Sequence, residues 1–314
     1  MSSPGAERGH LLTEQSNPAS ARLDVMATRD LVQLFVENDL QPQRAVADAA
    51  TDIGLAIDAI AERLSRGGRL FYLGAGTSGR LGMLDAAECP PTFCCDPEQV
   101  QGVLAGGAAA LLRSSEGLED QAAAGRDDLR ERGFCSTDCL VGIAAGGTTP
   151  YVHGGLHHAR SIGALAIAIA CVPSDQVVMP CDIDIRLLTG PELLAGSTRL
   201  KAGTATKMAL NIISTAVMVR LGKVHGNRMV DVAVTNAKLE DRALRILQDL
   251  AGVERSQASR LLQQAAGSVK LALLMAATGL DASQARSELD RHGPGLRATL
   301  NSCGAVLQSE KVPQ

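Results

Sequence analysis

Apolar residues recur at helical spacing over the first fifth of the chain. Steps of three and four residues place such positions on one face of an amphipathic helix. The pattern therefore predicts helices between residues 21 and 66, ended by the glycine pair Gly67-Gly68. The apolar stripes are Leu31, Leu34 and Phe35, followed by Ile53, Ile57, Ile60 and Leu64.

Five short apolar runs follow, most of them separated by helical stretches. Continuous apolar runs of this length are typical of strands that are buried on both faces. Strands joined through helices make right-handed crossovers, so this order predicts an α/β fold in which helices cover both faces of a parallel sheet. The candidate strands are residues 70–73, 100–105, 140–144 and 164–172, with 183–187 as an edge strand.

The C-terminal third is helical throughout. A long helix is predicted over residues 199–221, and shorter helices that end at glycines are predicted from about residue 242. We therefore divide the chain into a flexible leader (1–20), a sheet domain with N-terminal helices (21–235) and a helical region (236–314) that is expected to hold three helices. The apolar stripe of the long helix is Met208, Ile212, Thr215 and Val219; the helix-ending glycines are Gly252, Gly267, Gly279 and Gly293, with Asp281 or Ser283 as an N-cap.

Composition narrows the classes of function. The chain has 314 residues, 2% aromatic residues and a net charge of -4, so it offers nucleic acid or an anionic membrane no general attraction. No apolar run reaches the ~20 residues that span a bilayer, and the N-terminus lacks the apolar region of a signal peptide. The eight cysteines lack the spacing of a zinc site and are expected to be thiols of a cytoplasmic protein.

The stretch LFYLGAGTSGR, residues 70–80, has glycines at 74, 76 and 79 and so fits the dinucleotide fingerprint G-x-G-x-x-G. A dinucleotide site also needs an acidic residue about 20 residues further on, at the end of the second strand, and none is there. A P-loop needs a Lys followed by a hydroxyl residue, but Arg80 and Leu81 hold those positions. Both nucleotide interpretations therefore fail on the side chains that they need most.

Two hydroxyl-bearing loops favour a sugar phosphate instead. Thr77 and Ser78 open a predicted helix directly after a strand, where N–H groups and the helix dipole attract an anion; the alternative is that they only cap the helix. The loop GGTTP, residues 146–150, follows another strand in the same way. Because ligands of parallel sheets bind beyond the carboxyl ends of the strands, the two loops together predict a phosphosugar pocket.

Five longer stretches carry a family resemblance: GAGTSGRLGMLDAAECPPTF, SSEGLEDQ, GIAAGGTTPYV, GPELLAGSTRLKAGTATKMALNIISTAVM and GKVHGNRMVDVAVTNAKL. In this order they closely resemble the N-acetylmuramic acid 6-phosphate etherases, which are sugar isomerase (SIS) domain enzymes. The resemblance implies a flavodoxin-like three-layer domain and a small UBA-like helical region at the C-terminus. It also implies cleavage of the D-lactyl ether of N-acetylmuramic acid 6-phosphate to N-acetylglucosamine 6-phosphate and D-lactate in cell-wall recycling. The enzyme is then expected to be a homodimer with active sites near the subunit interface, and to use no metal or other cofactor.

One motif departs from the family pattern. The family reads S-G-R-T-P-Y where this chain has Gly146 and Thr148 in place of the Ser and the Arg, so phosphate contacts are expected chiefly from other loops. At least one of Arg199 and Lys201 is expected to face the phosphate or the lactyl carboxylate, because a cation at a helix start is unfavourable without an anion. The expected substrate-binding residues are Gly76, Thr77, Ser78, Gly79, Arg80, Thr148, Thr149, Ser197, Thr198 and Lys201.

Ether loss from C3 with proton loss at C2 needs a base and an acid, and two carboxylates can supply both. By resemblance, the family's two catalytic glutamates correspond to Glu88 and Glu119. Pro90-Pro91 is expected to end a helix just after Glu88, where the dipole favours the protonated acid. The sequence does not choose among Glu116, Glu119 and Asp120, and the resemblance selects Glu119. Our hypothesis is that Glu88 protonates the departing lactate and activates the water, while Glu119 takes the C2 proton; the sequence leaves these roles open.

Two other functions remain as alternatives. An aldose–ketose sugar-phosphate isomerase would share the phosphate loops but not the glutamate pair. A regulatory SIS protein would bind a sugar phosphate without catalysis, and a transcription factor would need a basic helix-turn-helix, which the acidic N-terminal helices do not offer. His153 and His157 have a spacing that suits a metal, but no carboxylate completes the site, so we expect solvated histidines.

Overall fold

A computed structural model describes residues 7–113, 116–232, 234, 236–293 and 295–310. The chain forms two compact units, one of residues 1–87 and 97–215 and the other of residues 88–96 and 216–314. The second unit thus begins earlier than the expected boundary at 235/236 and includes a segment from the first half of the chain. Residues 1–6 of the expected leader and residues 311–314 lie outside the described residues.

The first unit begins with three helices and continues as strands that alternate with helices. Four of the expected strands are confirmed to within two residues at each end, and the fifth, 183–187, is confirmed at the edge of the sheet. The elements are α1 (Thr28–Asn38), α2 (Gln41–Asp48), α3 (Ala50–Ser65), β1 (Leu70–Gly74), α4 (Gly76–Phe93), β2 (Val100–Leu104), α5 (Ala109–Leu112), α6 (Ala122–Glu131), β3 (Cys139–Ile143), α7 (Pro150–Ser161), β4 (Leu165–Ala170), β5 (Ile183–Arg186) and α8 (Lys201–Arg220), with α4 and α8 running on into the second unit.

The sheet has the strand order β2-β1-β3-β4-β5, and every neighbouring pair is parallel. This order confirms the α/β, flavodoxin-like prediction. At the carboxyl end of β1, Gly74 lies opposite Leu104 of β2 and Ile143 of β3. Three loops therefore leave the same edge of the sheet side by side.

Helices cover both faces of the sheet because successive strand residues point in opposite directions. Phe71 and Leu73 belong to the same buried cluster as Leu129 of α6 and Leu156 of α7. Tyr72 points to the other face, where a Cβ added at Gly82 of α4 would lie 2.7 Å from the Tyr72 Cβ. The three-layer arrangement is thereby confirmed.

The N-terminal segment is ordered against this domain. Leu11 is buried in the cluster of α6 and α7, the Leu12 N–H donates to Oε1 of Gln176 at 2.9 Å, and Nδ2 of Asn17 donates to the Pro191 carbonyl at 2.9 Å. The expected flexible leader is therefore wrong for residues 7–20. A few apolar residues among polar ones have no periodicity, so the sequence carried no signal for this packing.

Helix α4 continues through its two prolines. It runs to Phe93, the Cys94 N–H donates to the Pro90 carbonyl at 2.9 Å, and the helix ends at Cys94 with a φ of 48°. The expected end just after Glu88 is wrong. Proline has a helical φ, and near the last turn two prolines cost two backbone hydrogen bonds without ending the helix.

The apolar face of α8 that was expected to be buried is mostly exposed. Ile212 and Val219 are 41% and 47% exposed and Thr215 is exposed, whereas the buried residues of the helix include Ala205, Ala209, Ile213 and Val217. Two of these are alanines, whose small side chains give a weak pattern although they allow close packing. The helix itself is confirmed; the buried face is corrected.

The second unit is a hairpin followed by helices around its own aliphatic core. In the described part of the chain there are five helices after the hairpin, not three. All four glycines expected to end them have positive φ, and Asp281 is confirmed as an N-cap in a capping box with Gln284. The elements are β6 (Val224–His225), β7 (Arg228–Met229), α9 (Ala237–Ala251), α10 (Arg255–Gln264), α11 (Val269–Thr278), α12 (Ala282–His292) and α13 (Leu296–Ser302). The UBA-like character of this region stays a prediction.

None of the helices described is both long enough and apolar enough to cross a bilayer.

Candidate active site

The site lies at the topological switch point of the sheet, between β1 and β3. β1 connects to β2 on one side and β3 connects to β4 on the other, so the β1–α4 and β3–α7 loops separate at the edge between β1 and β3. A crevice at such a switch point is the usual ligand site of an open parallel sheet. This places Thr77 and Ser78 beside Thr148 and Thr149.

The β1–α4 loop is tight because its glycines let strand and helix touch. A Cβ added at Gly79 would lie 2.5 Å from the Gly74 carbonyl oxygen and 2.5 Å from Cδ1 of Leu104. Gly76 has a φ of 53°, which favours glycine. The glycine fingerprint is thus explained by a sharp turn into α4, without a dinucleotide.

Six hydroxyl groups surround this edge. All six are half-buried, and none is hydrogen-bonded to a residue that the structure describes. The alternative that Thr77 and Ser78 only cap their helix has no support, because neither side chain makes a capping bond within the described residues, and Thr149 at the N-cap of α7 makes none either. The six residues are Thr77, Ser78, Thr148, Thr149, Ser197 and Thr198.

The start of α8 lies near Thr77, so the segment that carries Ser197 and Thr198 is close to the segment that carries Thr77 and Ser78. A Cβ added at Gly203 would lie 3.4 Å from the Thr198 carbonyl oxygen and 3.6 Å from Cγ2 of Thr77. The segment before α8 and the first turn of α4 are therefore neighbours. Hydroxyls and N–H groups converging on one point suit the three oxygens of a phosphate monoester.

Glu192 was not predicted as a site residue, and its carboxylate stabilises the start of α8. Its carboxylate accepts hydrogen bonds from the N–H groups of Lys201 at 3.0 Å and Ala202 at 2.9 Å. Burial raises the pKa of Glu192, and these two bonds partly oppose that shift. A buried acid with no helical or strand periodicity of its own has no signal in the sequence.

Lys201 is buried close to Glu192. Burial lowers the pKa of Lys201, and the fields of Glu192 and Asp39 work against that change. That Lys201 faces the phosphate or the lactyl carboxylate stays a prediction. Arg199 is exposed, so of the two cations only Lys201 is held inside the protein.

The N-terminal segment contributes a hydroxyl that the sequence did not indicate. Thr13 is buried, and its Oγ1 has no hydrogen-bond partner within the described residues. A Cβ added at Gly146 would lie 3.6 Å from this oxygen and 3.9 Å from Oγ1 of Thr148. Thr13 therefore stands beside the loop that lacks the serine of the family motif.

Glu119 lies in a turn between a short 3-10 helix (Glu116–Leu118) and α6. It is half-buried, whereas Asp120 is exposed, and the Glu119 carbonyl accepts a hydrogen bond from the Tyr151 N–H at 3.0 Å. The Tyr151 hydroxyl donates to Oδ2 of Asp128 at 2.5 Å, and its pKa is raised by burial and by that carboxylate. Since Tyr151 lies in the first turn of α7, this bond connects Glu119 to the start of that helix, two residues after Thr149.

Glu88 is exposed on α4, about two and a half turns after Gly79. The helix continues for five residues beyond it, so the argument from a helix terminus is wrong, because the dipole acts only near the last turn. Glu88 belongs to the second unit by its packing. Its catalytic pairing with Glu119 stays a prediction.

Two side chains differ from their expected surroundings. Nε of Arg80 donates to the Ala110 carbonyl at 3.0 Å, so part of this guanidinium is used to anchor α5; its role toward a phosphate stays a prediction. His153 is not a solvated histidine, because it is half-buried and its Nε2 lies 2.6 Å from the Gly147 carbonyl oxygen. This ring therefore supports the β3–α7 loop.

Parts of the chain match the models of one protein family. Residues 52–160 match the family model of the glucokinase regulatory protein N-terminal SIS domain, and residues 226–270 match that of the C-terminal lid domain of glucokinase regulatory protein. A phosphoheptose isomerase structure from Francisella tularensis is 16% identical, with a TM-score of 0.45 over 61% of this chain and 98% of that one.

Two curated relatives are much more similar. The N-acetylmuramic acid 6-phosphate etherase of Synechococcus sp. (strain CC9902) is 73% identical over 97% of this chain and 96% of its own length. The protein of the same name from Synechocystis sp. (strain ATCC 27184 / PCC 6803 / Kazusa) is 60% identical over 94% of this chain and 97% of its own length. This chain therefore belongs to the N-acetylmuramic acid 6-phosphate etherase family, as its motifs indicated.

Proposed function

We propose that the protein is a lyase that cleaves the D-lactyl ether of N-acetylmuramic acid 6-phosphate, in peptidoglycan recycling and amino-sugar catabolism in the cytoplasm. The products are N-acetylglucosamine 6-phosphate and D-lactate. The observation that carries this proposal is the group of six half-buried hydroxyls at the edge between β1 and β3, none of which is bonded to a residue in the described part of the chain. The relatives named for this substrate cover nearly the whole chain.

The chemistry divides into elimination and hydration. In the open-chain sugar the C1 aldehyde acidifies the C2 proton, which Glu119 removes as the C3–O bond breaks and lactate leaves with a proton from Glu88. A water then adds to C3 with Glu88 as base, and C2 is reprotonated. Overall, the ether substrate and one water give N-acetylglucosamine 6-phosphate and D-lactate, and each product carries a hydroxyl group where the ether oxygen joined them. The hydroxyls and N–H groups at the sheet edge hold the phosphate, which fixes the sugar relative to the two carboxylates.

The first test is release of D-lactate from N-acetylmuramic acid 6-phosphate by the purified protein. Wild-type protein should release it, and Glu88→Gln should abolish the release, because a glutamine can neither protonate lactate nor activate water. Sugar-phosphate binding with no lactate formed would favour the regulatory alternative. Conversion of an aldose phosphate to a ketose phosphate would favour the isomerase.

The second test separates the roles of the two glutamates. Glu119→Gln should stop exchange of the C2 proton with deuterium from the solvent, whereas Glu88→Gln should retain this exchange while lactate stays bound to the sugar. NMR of the substrate in D₂O measures both. Full-rate C2 exchange in Glu119→Gln would show that our assignment of roles is wrong.

A homodimer with active sites near the subunit interface is part of the proposal. Its support is three large apolar side chains that are exposed, Val32 and Val36 of α1 and Leu40 two residues after its end. Exposed apolar surface can mark a protein contact.

A further inference from the structure

The segment between β5 and α8 holds two buried polar groups that the proposed mechanism does not use fully. Lys201 is 3% exposed and Thr189 is 2% exposed. Oγ1 of Thr189 is buried without a hydrogen-bond partner in the described ranges. Nζ of Lys201 forms no hydrogen bond or ion pair with a described residue, although the charges of Glu192 and Asp39 act on it. Burying a cation and a hydroxyl without partners is unfavourable unless a ligand completes them.

The nearest protein carboxylates do not complete this site. Each oxygen of Glu192 accepts one hydrogen bond, from the N–H groups of Lys201 and Ala202, so Glu192 satisfies the first turn of α8 and balances the positive end of its dipole. Asp39 is the other acid whose field reaches Lys201. It is exposed and forms no ion pair with Nζ.

Gly190 leaves an open position next to Lys201. This residue has a φ of 70° and no side chain, and a Cβ added there would lie 3.9 Å from Nζ of Lys201 and from no other described atom within 4 Å. Gly190 directly follows Thr189, so the Lys201 ammonium lies near the segment that carries the Thr189 hydroxyl.

We propose that Lys201 and Thr189 bind the carboxylate of the substrate's lactyl group. The inference rests on the proposed function and adds a second anion subsite to it. One ammonium and one hydroxyl match the two oxygens of a monoanion. A phosphate dianion is disfavoured there, because Glu192 has already used the N–H groups of α8 and both Glu192 and Asp39 repel a second negative charge.

This subsite would make the carboxylate a specificity determinant. The substrate carries the lactyl acid and the product N-acetylglucosamine 6-phosphate does not, while both carry the phosphate. The enzyme would then distinguish an ether-bearing sugar from its own product through Lys201 and Thr189, and both sugars would share the hydroxyls at the β1–α4, β3–α7 and pre-α8 segments.

The test compares two ligands in one variant. In Lys201→Met, kcat/KM for lactate release from N-acetylmuramic acid 6-phosphate should fall about 10- to 100-fold, the range expected for a lost bond to a charged group. The inhibition constant of N-acetylglucosamine 6-phosphate should change less than about twofold. Thr189→Val should show the same selective loss to a smaller degree. Lys207→Met, on the same helix and half-buried, is the matched control and should affect neither value.

Each outcome decides the inference. An equal loss for both ligands in Lys201→Met would show that Lys201 holds the phosphate, and no loss for either would remove Lys201 from the site; both results overturn the proposal. If Lys201→Met releases too little lactate to measure, calorimetric titration of the two sugars into a Lys201→Met, Glu119→Gln double variant replaces the kinetics. The absence of lactate release in wild-type protein would instead reject the proposed function itself.

Discussion

At the residue scale, Asp85 is a buried acid of α4 that faces α8. Ser214 donates its hydroxyl to Oδ1 of Asp85 at 3.2 Å. Burial raises the pKa of Asp85, while hydrogen bonds from Tyr72 and Ser214 and the field of Lys207 oppose the shift. The protonated acid is therefore favoured more strongly in the folded protein than in the unfolded chain.

We expect Asp85→Asn to stabilise the protein at neutral pH. A raised native pKa means that Asp85 favours folding below its unfolded pKa and loses this contribution as the pH rises through the native value. Asparagine keeps an acceptor for Ser214 and stays neutral. Urea denaturation at several pH values should show a variant that is more stable than wild type at pH 8, with the difference shrinking toward acid.

The exposed Asp48 supplies the control, because Asp48→Asn makes the same chemical change at the surface and should alter the urea midpoint little. A difference for Asp85→Asn that is constant with pH would contradict the assignment, since it would then come from packing and not from ionisation.

At the element scale, α6 and α7 touch backbone to backbone. A Cβ added at Gly154 would lie 1.8 Å from the Ala122 carbonyl oxygen, and one at Gly125 would lie 1.9 Å from that of Tyr151. Ala122 follows Glu119 by three residues. The contact between the two helices therefore sets where Glu119 stands relative to the β3–α7 loop.

Gly154→Ala should separate these helices and displace Glu119. We expect a loss of stability of about 1–3 kcal/mol, the usual cost of overpacking, and a lower kcat for lactate release. Gly54→Ala is the matched substitution, because Gly54 lies in α3 with nothing within 4 Å of an added Cβ. It should leave kcat unchanged and raise stability by about 0.5–1 kcal/mol. Equal unfolding midpoints for the two variants would contradict the role given to this contact.

The element scale also shows where periodicity misleads. α4 and α8 were expected as helices and are helices, but the end of α4 and the buried face of α8 were both assigned wrongly. Near the C-terminus of α4 the prolines keep a helical φ, so the local signal to stop is too weak. Along α8 two apolar stripes compete, and the one rich in alanine packs inward because it allows closer approach.

At the scale of the whole molecule, we propose α1 and the turn after it as the surface for a second copy of the chain. Val32 and Val36 are 58% and 59% exposed and stand four residues apart on α1, which places them on one face; Leu40, 53% exposed, follows two residues after the end of the helix. Solvent-exposed valine and leucine at this spacing are typical of a helix that packs against a partner.

Val36→Asp should convert the proposed homodimer into a monomer, because a buried unpaired carboxylate at an interface is strongly unfavourable. Sedimentation velocity measures the change, and Thr51→Asp, an exposed position in the first turn of α3, should leave the dimer intact. A wild-type protein that sediments as a monomer at micromolar concentration would reject the homodimer, and a dimeric Val36→Asp would place the interface elsewhere.

The sequence by itself determined the class of fold and the family. Strand-length apolar runs alternating with helical stretches require a parallel sheet, and the failure of both nucleotide motifs at LFYLGAGTSGR left a single phosphate as the better ligand. These conclusions depend on local composition and spacing, which the chain carries residue by residue. The hydroxyls at Thr77, Ser78, Thr148, Thr149, Ser197 and Thr198 were named on that basis, and their binding of a phosphate stays a prediction.

Only the tertiary structure decided which polar groups are buried. Thr13, Thr189 and Glu192 lie in segments without periodicity, so nothing local distinguishes them from surface residues. The N-terminal segment becomes ordered through Leu11 and through single bonds to Gln176 and Pro191, contacts made across more than 160 residues. Burial and long-range contacts are properties of the assembled domain, because they depend on which elements meet and not on the order of residues within any one of them.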